Sequence, residues 1–156
     1  MNIRKATVDD IDGLVELNKQ IGEFHFEHAP TVFCKPSKEE KEFLLKALDN
    51  PERLFLVSMI DNHVAGFLTA TISQNEAIPF LSKAPICRVG TIVVDQKNRD
   101  SGLGKNLMLE CKKWALSSGA NEIRLEVMAF NDKAQAFYKN LGFHTQSKIM
   151  SLSIID

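Results

Sequence analysis

A segment with two glycines and flanking charges offers the clearest chemistry in this sequence. Residues 99–106, RDSGLGKN, follow the apolar run RVGTIVVD at residues 88–95, which is typical of a strand. The first amides of a helix lack partners and favour negative charge, and glycines let the main chain approach an anion closely. The segment therefore predicts an anion-binding loop, although a lone Gly-x-Gly can equally serve a tight turn.

Two familiar phosphate-binding loops do not fit this segment. A P-loop requires glycine where Arg99 stands and serine or threonine where Asn106 stands. A dinucleotide fingerprint requires a third glycine at the position of Leu107, and it belongs to the first strand–helix turn of a parallel unit. Both motifs are therefore excluded.

Composition and charge limit the kind of protein that can carry this loop. The chain has 156 residues, of which 44% are hydrophobic and 25% charged, with a net charge of −1. These values are typical of one globular domain, over residues 1–156, without affinity for nucleic acid or acidic membranes. No signal peptide or transmembrane stretch is evident, and three widely spaced cysteines indicate reduced thiols in the cytoplasm and no metal site.

Helical and strand patterns alternate along the first half of the chain. A short strand at residues 2–6 precedes a helix that begins with a Thr7–Asp10 capping box and ends before Pro30; Asn18 interrupts its apolar face. Residues 37–50 predict a second helix, with a Ser37–Glu40 capping box. Runs at residues 53–60 and 63–72 predict a hairpin turning at residues 61–62, and residues 75–85 predict an irregular loop.

The second half continues the alternation. It predicts a strand at 86–95, a helix from 103 to Gly119, a strand at 122–130, a helix from Asn131 or Asp132 to Gly142, and a last strand at 144–154. Interleaved helices and strands with an adjacent hairpin predict an α/β or α+β fold with a mixed sheet.

Two motifs together resemble the GNAT superfamily of acyl-CoA-dependent N-acyltransferases. Arg99-x-x-Gly102-x-Gly104 matches the first signature, and residues 131–143, NDKAQAFYKNLGF, match the second in the expected order. The resemblance covers residues 87–143. It implies the GNAT fold, a central twisted, mostly antiparallel mixed sheet of six to seven strands flanked by about four helices, and acetyl-CoA as co-substrate without a metal.

The resemblance also implies which residues bind acetyl-CoA. The strand before the loop would bulge and present backbone groups to the pantetheine arm, and the loop amides would hold the pyrophosphate, with charge added by Arg99 and Lys105. Asn131 would contact the arm, although a helix cap explains it equally well. The full set is Ile92, Val93, Val94, Arg99, Asp100, Ser101, Gly102, Leu103, Gly104, Lys105 and Asn131.

Two residues match catalytic positions of the family. Tyr138, the only tyrosine, matches the acid that protonates the departing thiolate; without the motif, helix packing would explain it. Glu126 is similar to the glutamate base of ribosomal-protein N-terminal acetyltransferases, although an exposed strand glutamate is commonly a surface group. His25, His28 and ordered water are alternative bases. Cys87 and Cys111 lack a nucleophile motif, and Cys111 falls on an apolar helix face.

The expected function is transfer of the acetyl group of acetyl-CoA to a primary amine by direct attack, in a ternary complex. The acceptor, a small molecule or a protein amine, would enter beside the first two helices and residues 25–37. A non-catalytic CoA-binding regulatory module and a partner-binding domain without cofactor are the alternatives. A homodimer through terminal strands is common among resembling proteins and is a further expectation.

Overall fold

The computed structural model describes residues 2–155 and divides the chain into two compact units, Met1–Glu126 and Val127–Asp156. Within residues 2–155, no helix is both long and apolar enough to cross a membrane. The single domain expected over residues 1–156 stays a prediction.

The first unit is built on a five-stranded sheet with the strand order β1-β2-β3-β4-β5. Neighbouring strands are antiparallel except β4 and β5, which are parallel. The strands are β1 (Asn2–Lys5), β2 (Leu54–Ile60), β3 (His63–Ser73), β4 (Ile86–Val94) and β5 (Ile123–Arg124). The helices of this unit are α1 (Ile11–His28), α2 (Glu39–Asp49) and α3 (Leu103–Ser117), and short 3-10 segments span Val8–Asp10 and Gln96–Asn98.

The second unit contains one helix, α4 (Asp132–Asn140), which ends before Gly142 at a φ of 100°. The expected fold class is confirmed: the sheet is mixed and mostly antiparallel, and the described residues of the two units contain four helices. The described residues form five strands, however, fewer than the six to seven expected.

The hairpin between β2 and β3 turns where the sequence predicts. Asp61 and Asn62 have φ values of 47° and 64°, and Ile60 pairs with His63. Two central residues with positive φ match the twist of the flanking strands, and Asp and Asn tolerate that conformation better than most residues. The hairpin aligns the adjoining ends of β2 and β3, and the register then shifts by one residue, because Ser58 pairs with Gly66 but Met59 pairs with Val64.

The sheet is covered on both faces. Leu14 and Leu17 of α1 and Leu44 of α2 share one buried cluster with sheet residues that include Phe67 and Val93. On the other face, a Cβ added at Gly66 would lie 3.3 Å from Leu107 of α3, so Gly66 lets this helix approach the strand. Helices α1 and α2 therefore cover one face and α3 covers the other.

One extra residue in β4 changes which face its side chains occupy. Thr69 pairs with Thr91 but Ala70 pairs with Val89, so Gly90 has no counterpart in β3. Such a β-bulge shifts the alternation by one residue. Cys87 consequently contacts Cys111 of α3, whereas Val93 joins the cluster under α1.

Two expectations about strands are corrected. The strand predicted at residues 122–130 pairs only through Ile123 and Arg124, and residues 144–155 form no strand. Alternation of apolar residues shows which face a strand would bury, but a strand also needs a partner edge for its ladder bonds. In the last segment the apolar side chains are exposed instead, Met150, Leu152 and Ile154 at 92%, 86% and 91%.

Candidate functional site

The glycine loop ends in an open helix N-terminus. Gly102 caps α3 at a φ of 84°, and Asn106 N donates to Gly102 O at 3.0 Å as the first helical bond. A Cβ at Gly102 would meet no atom within 4 Å, so the left-handed backbone, not crowding, favours glycine here. Because the cap has no side chain, the amides of residues 103–105 are left to a ligand or to water.

The loop before this cap is turned tightly and carries exposed cations. Asp100 has a φ of 62°, and the Ser101 hydroxyl donates to the Asn98 carbonyl. Arg99 and Lys105 are exposed, and neither forms an ion pair with another described residue. Open amides, a helix dipole and two available cations together make a site for a polyanion such as a pyrophosphate.

The strand that leads into the loop has an open edge. β4 pairs with β5 only through Cys87 and Arg88, so within the described part of the first unit residues 89–94 have no strand partner on that side. Alternate N–H and C=O groups of an edge strand point outward and can bind an extended ligand. The open edge and the open helix N-terminus are joined by residues 95–102, so the first unit contains both halves of the expected binding site.

Ile92, Val93 and Val94 lie on this edge, but the bulge expected at these three residues does not occur there. They pair regularly with Leu68, Phe67 and Gly66, and the irregularity lies at Gly90 instead of at residues 92–94. The Val93 side chain is only 6% exposed and belongs to the core. Any contact of these three residues with a ligand along the open edge would therefore use the backbone. The Val93 side chain packs in the cluster under α1 and α2.

The second unit positions Asn131 and Tyr138 on one helix. The Asn131 Oδ1 accepts from Ala134 N at 3.2 Å, so this residue does cap α4. Tyr138 follows seven residues later, which places both on nearly the same side of the helix. Its ring contacts Phe137 and Phe143 at centroid distances of 5.4 and 5.6 Å, and burial raises the pKa of Tyr138 to about 12. Its phenol is thus a protonated donor.

The candidate bases differ in what surrounds them. Glu126 is exposed two residues beyond β5 and forms no ion pair with another described residue, whereas Arg124 binds both carboxylate oxygens of Glu122 at 3.2 and 3.1 Å. His25 and His28 lie at the end of α1, where each Nδ1 is within 2.9 Å of a backbone carbonyl. Glu126 thus has an available carboxylate, while both imidazoles contact the helix end.

The two buried cysteines belong to the core. Cys87 and Cys111 are free thiols with no exposed surface, and their Sγ atoms lie 3.8 Å apart. The hydrogen bond between the two thiols and burial both raise the pKa of the Cys111 thiol, whereas the same hydrogen bond lowers the pKa of Cys87. A thiol pair enclosed between β4 and α3 is out of reach of a substrate, in agreement with the sequence.

Sequence analysis missed a polar pair that joins α1 to α2. Ser37 Oγ accepts from Glu39 N at 3.3 Å, but the Glu40 carboxylate does not complete the capping box expected there; it accepts from Asn18 Nδ2 at 2.5 Å. Asn18 is the residue that interrupts the apolar face of α1. This interruption was the available signal, because breaks in a hydrophobic pattern commonly mark functional or specialised positions.

The pair borders a cavity, here named the α1–α2 cavity, of about 400 Å³. Its walls include Asn18, Gly22, Cys34, Glu39, Glu40 and Phe43. The cavity lies where the sequence predicts entry of an acceptor, beside the first two helices and the segment that connects them.

Comparison with curated proteins finds amine acetyltransferases. The chain is 28% identical over 147 residues to an N-alpha-acetyltransferase of Sulfurisphaera tokodaii, covering 90% of this chain and 78% of that protein. It is 25% identical over 154 residues to the spermidine N(1)-acetyltransferase of Thermoplasma acidophilum, covering 94% and 89%.

Solved structures share the fold. A mutant of the BH1408 protein from Bacillus halodurans superposes with a TM-score of 0.93 at 24% identity, covering 99% of this chain and all of that one. The aminoglycoside N-acetyltransferase AAC(6')-Iy, solved in complex with CoA, gives a TM-score of 0.73 at 18% identity, covering 99% and 100%.

The model of the Acetyltransferase (GNAT) family matches residues 19–143, a range that contains both sequence motifs and most of the sheet. This confirms the predicted enzyme class, an acyl-CoA-dependent acetyltransferase. The chain belongs to the GNAT acetyltransferase family.

Proposed function

We propose that this chain transfers the acetyl group of acetyl-CoA to a primary amine by direct attack in a ternary complex. The observation that carries the proposal is the open N-terminus of α3 directly after the open edge of β4. The acceptor is a small-molecule amine or a protein amine, since the similar proteins include an N-alpha-acetyltransferase and a spermidine N(1)-acetyltransferase.

The residues present fit acetyl-CoA, which supplies an activated acyl group as a thioester when bound. The backbone of residues 92–94 would pair with the pantetheine arm along the open edge. The amides of residues 100–105 would bind the pyrophosphate, aided by Arg99 and Lys105, and Asn131 would donate to the arm through Nδ2, because its Oδ1 caps α4. The complex of AAC(6')-Iy with CoA supports this assignment.

Proton transfer would require one acceptor and one donor. As the amine nitrogen bonds to the acyl carbon and the carbon–sulfur bond breaks, the nitrogen loses a proton and the thiolate gains one. Glu126 would accept the first proton through its available carboxylate, with His25, His28 or ordered water as alternatives. The Tyr138 phenol, which burial keeps protonated, would donate the second.

Thermal unfolding with and without acetyl-CoA tests the binding part. A ligand at about a hundred times its Kd stabilises a protein by about 2.7 kcal/mol, which for this size raises Tm by about 5 to 10 °C. Gly104→Glu places a negative charge at the N-terminus of α3 and should abolish the shift. Leu116→Glu adds the same charge at an exposed position near the end of the same helix and should preserve it. No shift in folded wild-type protein would contradict the proposal.

Consumption of acetyl-CoA in the presence of amines tests turnover on the same proteins. Glu126→Gln should reduce kcat/KM about a hundredfold or more, the usual effect of losing a general base. It should leave the thermal shift unchanged. A non-catalytic module would bind acetyl-CoA without consuming it, and unchanged kcat/KM in Glu126→Gln would transfer the role of base to His25, His28 or water.

A homodimer is the assembly that we propose. The supporting observation is the last segment, whose alternating apolar side chains are exposed along residues 149–155. Contiguous exposed apolar residues in a folded protein commonly mark an interaction surface, and an extended segment can add a strand to the sheet edge of a second copy.

A further inference from the structure

The α1–α2 cavity contains a carboxylate held in a fixed orientation. Glu40 is half-buried, and its Oε2 accepts from Asn18 Nδ2. Its Oε1 accepts no hydrogen bond from another described residue, and Glu40 lines the open cavity. A carboxylate with one oxygen anchored and the other without a donor can accept a hydrogen bond from a ligand in the cavity.

The cavity has no cation that neutralises its carboxylates. Glu39 and Glu40 both line it, and neither forms an ion pair with another residue in the described range. Lys35 is also at the wall, but its Nζ lies over the Phe26 ring, 5.6 Å from the centroid. A cationic ligand would therefore find favourable electrostatics in this cavity.

Aromatic rings border the same cavity. Phe43 is 68% exposed although it lies on α2 beside Glu39 and Glu40, and Phe33 borders the cavity from the connecting segment. Rings next to carboxylates suit an alkylammonium ion, because the methylene chain packs on an aromatic face while the ammonium binds oxygen.

Helix α1 connects this cavity with the acetyl-CoA strand. Gln20 Oε1 accepts from Gln96 N at 3.3 Å, directly after β4, and the cavity residues Asn18 and Gly22 lie two positions to either side of Gln20. A ligand in the cavity is thus held by the helix that contacts the end of the strand on which we place the pantetheine arm.

We propose that the α1–α2 cavity binds the second, non-reacting ammonium group of a diamine or polyamine acceptor. This inference rests on the proposed function. The reacting nitrogen must lose a proton before it attacks, a step that we assign to the single carboxylate of Glu126, whereas the two carboxylates of Glu39 and Glu40 together would stabilise the protonated form of an ammonium bound between them. The ammonium held by Glu40 and Glu39 is therefore not the nitrogen that is acetylated, and the acceptor must carry at least two amines.

Alkylation of Cys34 offers a test that needs no acetyl-CoA. Cys34 is exposed at the cavity wall, whereas Cys87 and Cys111 are fully buried, so iodoacetamide should modify Cys34 alone. We expect putrescine and spermidine to protect Cys34 at concentrations about tenfold lower than butylamine, which has a single ammonium to offer. Mass spectrometry of the modified peptide gives the rates.

Matched variants assign the effect to the cavity. Glu40→Gln should raise the half-protecting concentration of putrescine about three- to tenfold and leave butylamine nearly unchanged. Glu42→Gln removes the same charge from an exposed position of α2 that does not line the cavity, and it should behave as wild type. Equal effects of the two variants, or equal protection by butylamine and putrescine, would overturn the inference. So would equal protection by a peptide with a free N-terminus and no side-chain cation.

The outcome separates this inference from the proposed function. Selective protection by putrescine without a thermal shift from acetyl-CoA would contradict the proposed function and leave the amine site in place. A thermal shift and amine turnover without selective protection would overturn the cavity assignment alone.

Discussion

At the scale of single residues, Tyr138, which we propose as the catalytic acid, carries a proton whose titration can be measured. Burial raises its pKa to about 12, so the phenol remains a donor throughout the range in which amines are acetylated. A thiolate in equally desolvated surroundings also gains basicity, which favours hydrogen bonding between the two groups.

Ultraviolet absorbance of the phenolate should show this directly, since the chain has a single tyrosine. We expect titration with a midpoint near 12 in the folded protein and near 10 in denaturant. Because the unfolded chain loses its proton first, this group's stabilisation is complete below about pH 10 and is lost as the pH rises towards 12. A folded-state midpoint near 10, at a pH where circular dichroism shows native structure, would contradict it.

The roles of single residues were predictable from the sequence where their hydrogen-bond partners are local, but not where the partners are distant in the chain. Asn131 was expected either to cap a helix or to contact a cofactor, and local spacing is sufficient for the cap that it forms with Ala134. Glu40 followed Ser37 at capping-box spacing, yet its carboxylate binds Asn18, 22 positions earlier. A local pattern contains no information about a competing partner that the tertiary structure brings near.

At the scale of elements, the start of the first helical region is fixed by a charged side chain. The Asp10 carboxylate accepts from Thr7 N at 2.8 Å and from both terminal nitrogens of Arg4 at 2.8 and 2.9 Å, and its side chain is 6% exposed. These bonds, that with Arg4 above all, hold the pKa of Asp10 below its usual value. One residue thus joins β1 to the beginning of α1.

Asp10→Ala should lower the free energy of unfolding by about 1 to 2 kcal/mol, the usual range for losing a cap together with a partly exposed ion pair. Asp9→Ala removes an exposed neighbouring carboxylate and serves as the control. Because the pKa of Asp10 is lowered on folding, its contribution is complete above about pH 4 and disappears as the pH falls further. Urea denaturation at neutral and acidic pH should show the two variants converging in acid, and a constant difference would contradict the assignment.

Helices, the hairpin and the first four strands were predictable because their signals are local. Capping residues, positive-φ turn residues and apolar periodicity each act over a few positions. The end of β5 and the state of residues 144–155 depend instead on which strand edge is available. For this reason the strand count, unlike the fold class, was expected to be higher than the structure shows.

At the scale of the whole molecule, the exposed apolar side chains of the last segment favour association of two copies. Met150, Leu152 and Ile154 alternate with the serines at positions 151 and 153, and all three are at least 86% exposed. Burying such side chains against a second copy would release apolar surface from water at about 25 cal/mol per Å². The gain accrues twice in a symmetric pair, since each copy contributes the same segment.

Sedimentation velocity should therefore find a dimer, and Leu152→Asp should shift it towards monomer. Ser153→Asp introduces the same charge one residue later, which in a strand paired with a second copy would point to the opposite face, and should have a smaller effect. A wild-type protein that sediments as a monomer at micromolar concentration would contradict the dimer, as would two variants that dissociate equally.

The extra residue at Gly90 also determines which positions of β4 should tolerate mutation. Before it, the buried Cys87 contacts α3; after it, the buried Val93 belongs to the cluster under α1. Saturation mutagenesis of residues 86–94 should thus find Cys87 and Val93 both intolerant of polar substitution, although the first packs against α3 and the second under α1. Deleting Gly90 alone would turn residues 91–94 over and expose the buried side chain of Val93, whereas a compensating insertion one position away would restore the original faces. In this strand, a single residue thus determines which side chains face each layer of helices.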